Sequence, residues 1–195
     1  FMIINLLQSN YTALLRDEAY YWVWSKNLAF GYFDHPPMVA LWIKISNFFS
    51  EGELGVRFFS SISFSIMLIF IWLIIDNPKK EKYVWLYFLV IISMVFFNVY
   101  GFITTPDTPL LLFVALFLLS YKQFLENESW INILLLGFSM SAMLYSKYHG
   151  ILVIFFVVLS NFSLLKNKKF WIAGLFAIVL FMIFKLAAIP LIIFM

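Results

Sequence analysis

Apolar residues in this chain fall in long, nearly continuous runs instead of recurring at the spacing of one helix face or one strand face. The runs are interrupted at DNPKKEK (Asp76 to Lys82), TTPDTP (Thr104 to Pro109), YKQFLENES (Tyr121 to Ser129), SKYHG (Ser146 to Gly150) and KNKK (Lys166 to Lys169). Crossing a hydrocarbon core of about 30 Å at about 1.5 Å per residue takes roughly 20 apolar residues. The pattern therefore predicts a partial helix over 1–15 and spanning helices over about 57–76, 83–103, 108–124, 131–147, 149–165 and 170–190. Backbone polar groups in lipid must be satisfied within their own segment, so these runs are read as helices.

The segment 16–57 mixes polar and apolar residues. Within it, 18–30 (EAYYWVWSKNLAF) and 38–49 (MVALWIKISNFF) read as short amphipathic helices rich in Trp, Tyr and Phe, suited to the membrane interface. Pro36-Pro37 biases His35 towards an extended backbone and offers the second helix a start. Such a turn would hold Asp34 and His35 over the membrane mouth.

Composition supports the membrane reading. Hydrophobic residues make up 64% of the chain and charged ones 12%, with 25 Phe, 10 Tyr and 7 Trp. A soluble domain runs nearer a quarter charged. The net charge of +3 gives no case for nucleic acid as a partner, and the absence of cysteine excludes a disulfide framework and thiolate metal sites. No cleavable signal peptide is legible, and both ends read as cut, so the sequence is expected to be a piece of a longer protein.

Charge then sets an expected orientation. Lys79, Lys80, Lys82, Lys122, Lys166, Lys168 and Lys169 fall in alternate connections, which the positive-inside rule assigns to the cytoplasm. Segment 16–57, TTPDTP and SKYHG then share the extracytoplasmic face, and the candidate functional residues lie on that side.

Asp17 and Glu18 are adjacent, so on a helix they point about 100° apart and serve different tasks. One could act as a base or bind a cation while the other anchors the loop; alternatively both merely complement a helix dipole. Asp107, between Pro106 and Pro109, suits an N-cap of the following helix, or a buried carboxylate facing the first loop. Lys147 ends a predicted span on the face where lysine is disfavoured; it either snorkels to the interface or binds an anion such as a lipid phosphate. His35 alone is a weak signal. Arg57, at a helix start, is read as an interface anchor, and Lys185 as a polar contact inside the bundle.

DEAYYWVWSKNLAFGYFDHPP, TTPDTPLLLF and LYSKYHG together resemble the dolichyl-phosphate-mannose-protein mannosyltransferase superfamily, that is, bacterial glycosyltransferase family 39 with the lipid A aminoarabinose transferases as relatives. The motifs span about 17 to 150. The resemblance implies an all-α polytopic membrane protein of GT-C type, here the N-terminal part (1–195) of the membrane domain. Residues 16–57 would form its first extracytoplasmic loop, with later helices and a C-terminal soluble domain lying beyond this chain. It implies transfer of a sugar from a polyprenyl-phosphate donor to a protein or glycolipid hydroxyl at the periplasmic face of the inner membrane. Asp17 matches the family's essential first-loop aspartate, Glu18 its companion and Asp107 a second family acid. Lys147 matches a lysine that binds the donor phosphate. Asp34 falls where the aminoarabinose transferases have a metal-linked glutamate, which leaves a divalent metal ion open. His35 replaces a phosphate-contacting lysine, and Tyr20 an arginine found in some relatives.

Two rival classes remain at this point. A transporter or lipid scramblase would place charges near mid-helix beside Gly or Pro breaks; Lys185 and Pro190 are the residues of that kind. A non-catalytic subunit would keep the fold and bind donor lipid without turnover.

Overall fold

The computed structural model describes residues 2–193, with side chains described for residues 2–183. Lys185 and Pro190 thus lie outside the residues whose side chains are described. Among the described residues ten α-helices follow in order: α1 (Met2–Tyr11), α2 (Arg16–Lys26), α3 (Met38–Ser46), α4 (Gly52–Ile74), α5 (Val84–Ser93), α6 (Val95–Tyr100), α7 (Asp107–Glu126), α8 (Trp130–Ser146), α9 (Gly150–Ser160) and α10 (Lys168–Ile193). No strand occurs among the described residues.

The bundle is a row: α4 packs between α1 and α7, and α8 packs between α7 and α10. Phe117, Phe124, Ile133, Leu136 and Met143 are essentially fully buried along the α7–α8 contact. At Gly137 the missing side chain lets α8 approach α10 closely, since a Cβ there would lie 2.5 Å from the Ala173 carbonyl oxygen. Tyr145 Oη fastens the same pair higher up, donating to the carbonyls of Leu180 (2.8 Å) and Phe181 (2.7 Å).

Among the described residues, two helices are long and apolar enough to cross a membrane, α4 and α7. Several expected spans are shorter than the hydropathy suggests. The 83–103 run is broken at Met94, whose extended backbone separates α5 from α6. Ser93 and Asn98 supply the physical reason. Ser93 Oγ donates to the Val90 carbonyl, and the Asn98 side-chain amide donates to the carbonyls of Ile92 and Met94, adding side-chain bonds to the backbone at the break. The 149–165 run forms only eleven α-helical residues before Asn161 adopts a non-helical backbone and a 3₁₀ turn follows. In contrast, α8 closely follows its predicted 131–147 range.

The two short helices of segment 16–57 are present, each ending earlier than its predicted range: α2 stops at Lys26 and α3 at Ser46. Between them, Tyr32 stacks on Trp24 with ring centroids 4.2 Å apart. Its hydroxyl donates to the Trp24 carbonyl at 3.0 Å and accepts from Ala29 N. That stack folds the loop back on α2, and Val39 and Ile43 of α3 bury against Tyr21 of α2 and Val56 of α4.

The helices have two chemically different ends. At one, Lys122 donates to the Ile74 carbonyl and sits 3.9 Å from Asp76, while Lys169 lies 3.4 Å from Glu128 and Asn167 donates to Glu128. At the other, the first loop, the 101–106 connection and residues 147–149 come together.

Candidate active site

The site is built from the ends of three chain segments. Asp17 and Glu18 occupy the first turn of α2, where acids are favoured by the dipole. The Asp17 side chain is exposed and Glu18 is entirely buried, so the neighbours take opposite surroundings. Glu18 Oε1 accepts from Arg57 Nε at 2.7 Å and from the Thr104 backbone N–H at 2.9 Å. Its Oε2 accepts from the Leu15 N–H at 3.0 Å and from Arg57 Nη2.

Arg57 is correspondingly not an interface anchor. It is fully buried, and beyond Glu18 it donates to the carbonyls of Thr12 (2.6 Å), Ala13 (3.0 Å) and Ser9 (3.3 Å). Ser9 lies in the last turn of α1 and Thr12 and Ala13 just beyond it, so one guanidinium ties down the chain leaving that helix and neutralises a buried acid together. An arginine at the start of a predicted span (57–76) was the signal available in the sequence.

Asp107 is the first residue of α7 and not its cap. The threonines of TTPDTP serve the backbone there: Thr105 Oγ1 accepts from Asp107 N at 3.3 Å, and Thr108 Oγ1 accepts from Thr105 N at 3.2 Å. The Asp107 carboxylate is thereby left to Lys147, whose Nζ lies 2.8 Å from Asp107 Oδ1. Lys147 is the C-cap of α8, in extended conformation, so its ammonium also stands at the negative end of a helix.

Tyr21 and His35 show how the remaining groups cluster. Tyr21 is buried, and its phenol pKa is pushed up to about 12, first by burial and then by the carboxylates of Asp17, Asp107 and Asp34. Two acids of segment 16–57 and one from the start of α7 therefore act on one hydroxyl. The His35 pKa is lowered below the ordinary 6.5, first by burial and next by the Lys147 ammonium; Asp34 and Asp107 oppose the shift and His149 adds to it. At neutral pH His35 is accordingly an uncharged hydrogen-bonding ring. Its edge meets Tyr21 and Trp24.

Asp34 accepts a hydrogen bond from Tyr20 Oη at 3.1 Å. Among the described residues no three acidic or histidine side chains are placed to hold a metal ion together, so the donor set present does not by itself form a metal centre.

Beside this polar cluster lies an apolar cavity of about 410 Å³. It is lined by Leu28, Ala29 and Phe30 of the first loop, by Pro37, Met38 and Leu41, and by Phe138, Ser141, Ala142, Tyr145 and Leu180. Pro37 follows His35 by two residues and Tyr145 precedes Lys147 by two. The Ser141 hydroxyl is buried there without a hydrogen-bond partner among the described residues.

Residues 34–185 match the family model of the dolichyl-phosphate-mannose-protein mannosyltransferases. The chain belongs to that family. The match covers Asp34, His35, Asp107 and Lys147, and Asp17 and Glu18 lie outside it, on its N-terminal side. Within the curated proteins, the lipid A galacturonosyltransferase RgtD of Rhizobium johnstonii is 26% identical over 161 residues, 77% of this chain and 32% of the relative. The chain thus spans about a third of the length of that relative. No solved structure matches. For a mannosyltransferase-family chain, the polar end where the first loop, the start of α7 and the end of α8 meet is the natural candidate site.

Proposed function

We propose that this chain is the N-terminal part of a GT-C type integral membrane glycosyltransferase. It would move a sugar from a polyprenyl-phosphate donor to a hydroxyl on a protein or glycolipid acceptor at the extracytoplasmic face of the inner membrane. The observation that carries this reading is the ion pair of Lys147 and Asp107 within a ring of further polar groups, next to an apolar cavity. A lipid-linked sugar phosphate is a ligand with that same division: an anionic head and an apolar chain.

In the proposed reaction the phosphate of the donor meets the Lys147 ammonium, which Asp107 holds in position beforehand. Asp17, the exposed acid of the DE pair, takes the proton of the acceptor hydroxyl. The acceptor oxygen bonds to the anomeric carbon as the bond from that carbon to the phosphate oxygen breaks. The departing polyprenyl phosphate gains a negative charge, countered by Lys147. His35, uncharged at neutral pH, donates a hydrogen bond to the phosphate in place of a second cation. Base assistance of this kind contributes roughly 10²–10⁴-fold, and a fixed countercharge where charge develops contributes on the order of 10²–10³-fold. Glu18, with both oxygens occupied, supports the site and does not touch substrate. Asp34 is the carboxylate that would offer an oxygen to a divalent metal ion.

The test is release of polyprenyl phosphate from polyprenyl-phosphate sugars by the purified full-length protein in liposomes with an acceptor extract. Acceptor-dependent release supports the proposal. No release from any of a panel of hexosyl and pentosyl donors, by protein shown to be folded, contradicts it.

A further inference from the structure

We propose that Glu18 is a positioning residue that sets the register between the two candidate acids Asp17 and Asp107. The inference rests on the reading of the site given above, and deepens it. The Glu18 side chain bonds directly to both connections that carry them. Through Oε2 it accepts the Leu15 N–H, fixing the turn that starts α2 one residue before Asp17. Through Oε1 it accepts the Thr104 N–H, three residues before Asp107 and 86 residues away in sequence.

Arg57 makes this arrangement rigid. Its fork meets both carboxylate oxygens while its remaining donors reach the carbonyls of Thr12 and Ala13, so the chain entering α2 is held from both sides. Thr104 is fixed independently: its hydroxyl bonds Ser60 Oγ at 2.7 Å and the Val56 carbonyl at 3.0 Å, both on α4. Glu18, Arg57, Thr104, Ser60 and Val56 are buried away from water, where hydrogen bonds to a charged group are strongest and an unmet donor is most costly. The loop bearing the proposed base and the loop bearing the lysine's partner therefore cannot shift separately without breaking bonds at Glu18. Misplacement of a reacting group by about 1 Å lowers turnover on the order of 10²-fold, so a tie of this kind acts on kcat more than on donor binding.

Two variants of the full-length protein test this, each read by hydrogen exchange and by kinetics. Glu18→Gln keeps the shape but exchanges one acceptor oxygen for an NH₂, which must face a backbone N–H or the guanidinium. Arg57→Lys keeps the charge and loses the fork, and serves if Glu18→Gln does not fold. The expected result is exchange faster by at least about tenfold in segment 12–16 or 101–105, with kcat lowered roughly 10–100-fold and the donor KM little changed. Wild-type exchange in both segments, or faster exchange with wild-type kcat, overturns the proposal. If the wild-type protein transfers no sugar at all, the functional reading falls and takes the positioning role with it. The exchange result then still shows whether Glu18 ties the two loops.

Discussion

Lys147 Nζ and Asp107 Oδ1 stand 2.8 Å apart although the residues are 40 positions apart in sequence. Both side chains remain partly open to solvent, at 26% and 32% exposure. That openness decides what the pair can be for. A solvent-screened pair contributes only about 0–1 kcal/mol to stability, too little to explain placing a lysine and an aspartate at the rim of an apolar bundle.

Replacing Lys147 by Met should accordingly leave the thermal midpoint nearly unchanged, a loss within about 1 kcal/mol. Donor turnover should fall by at least about tenfold, because a departing phosphate would lose its countercharge. Melting of the solubilised protein, measured beside release of polyprenyl phosphate, separates the two. A large drop in melting temperature with normal turnover of the remaining folded protein would make the pair structural.

His35 yields a pH prediction with a definite sign. Its folded pKa lies below the ordinary value of 6.5, through burial and then Lys147, so near and below 6.5 the unfolded chain binds more protons than the folded one. The contribution of His35 to stability is therefore complete above about pH 6.5, declines as pH falls towards the folded value, and levels off below it. His35→Gln should flatten this part of the stability curve. Thermal midpoints of both proteins across about pH 5 to 8 provide the check.

Gly137 and Gly174 offer a paired test of the packing. A Cβ at Gly137 would meet the Ala173 backbone oxygen at 2.5 Å, and backbone cannot swing aside as a side chain can. Gly137→Ala should force α8 and α10 apart and destabilise by about 1–3 kcal/mol. A Cβ at Gly174, one residue beyond Ala173, meets nothing within 4 Å. Gly174→Ala should be neutral or stabilising by up to about 1 kcal/mol, since it removes a helix-interior glycine. Equal effects of the two variants would refute the close approach.

The sequence made some of this architecture readable and hid the rest, for physical reasons. Long apolar runs bounded by charge located α4, α7 and α8, because lipid-compatible helices need an unbroken apolar stretch. The break at Met94 was not legible, because the hydropathy of 83–103 is uninterrupted and the repair by Ser93 and Asn98 depends on side-chain geometry. Of the two roles the sequence leaves open for Asp107, a helix cap or a carboxylate facing the first loop, the cap is not the one its side chain takes. The neighbouring threonines serve the backbone instead, which a local motif could not reveal. Of the DE pair, the expectation that the two acids differ in task follows from their 100° separation, and the structure places one in solvent and the other against Arg57. That Arg57 is the partner was not legible, because the two residues are 39 apart and only the folded chain joins them.

The central claim concerns Asp17, and one measurement addresses it most directly: single-turnover sugar transfer by full-length Asp17→Asn protein, with donor binding measured on the same preparation. The account predicts donor binding close to wild type and transfer slowed by roughly 10²–10⁴-fold, as expected when a general base is removed without disturbing its surroundings. Transfer at a near wild-type rate by folded, donor-bound Asp17→Asn protein would contradict it.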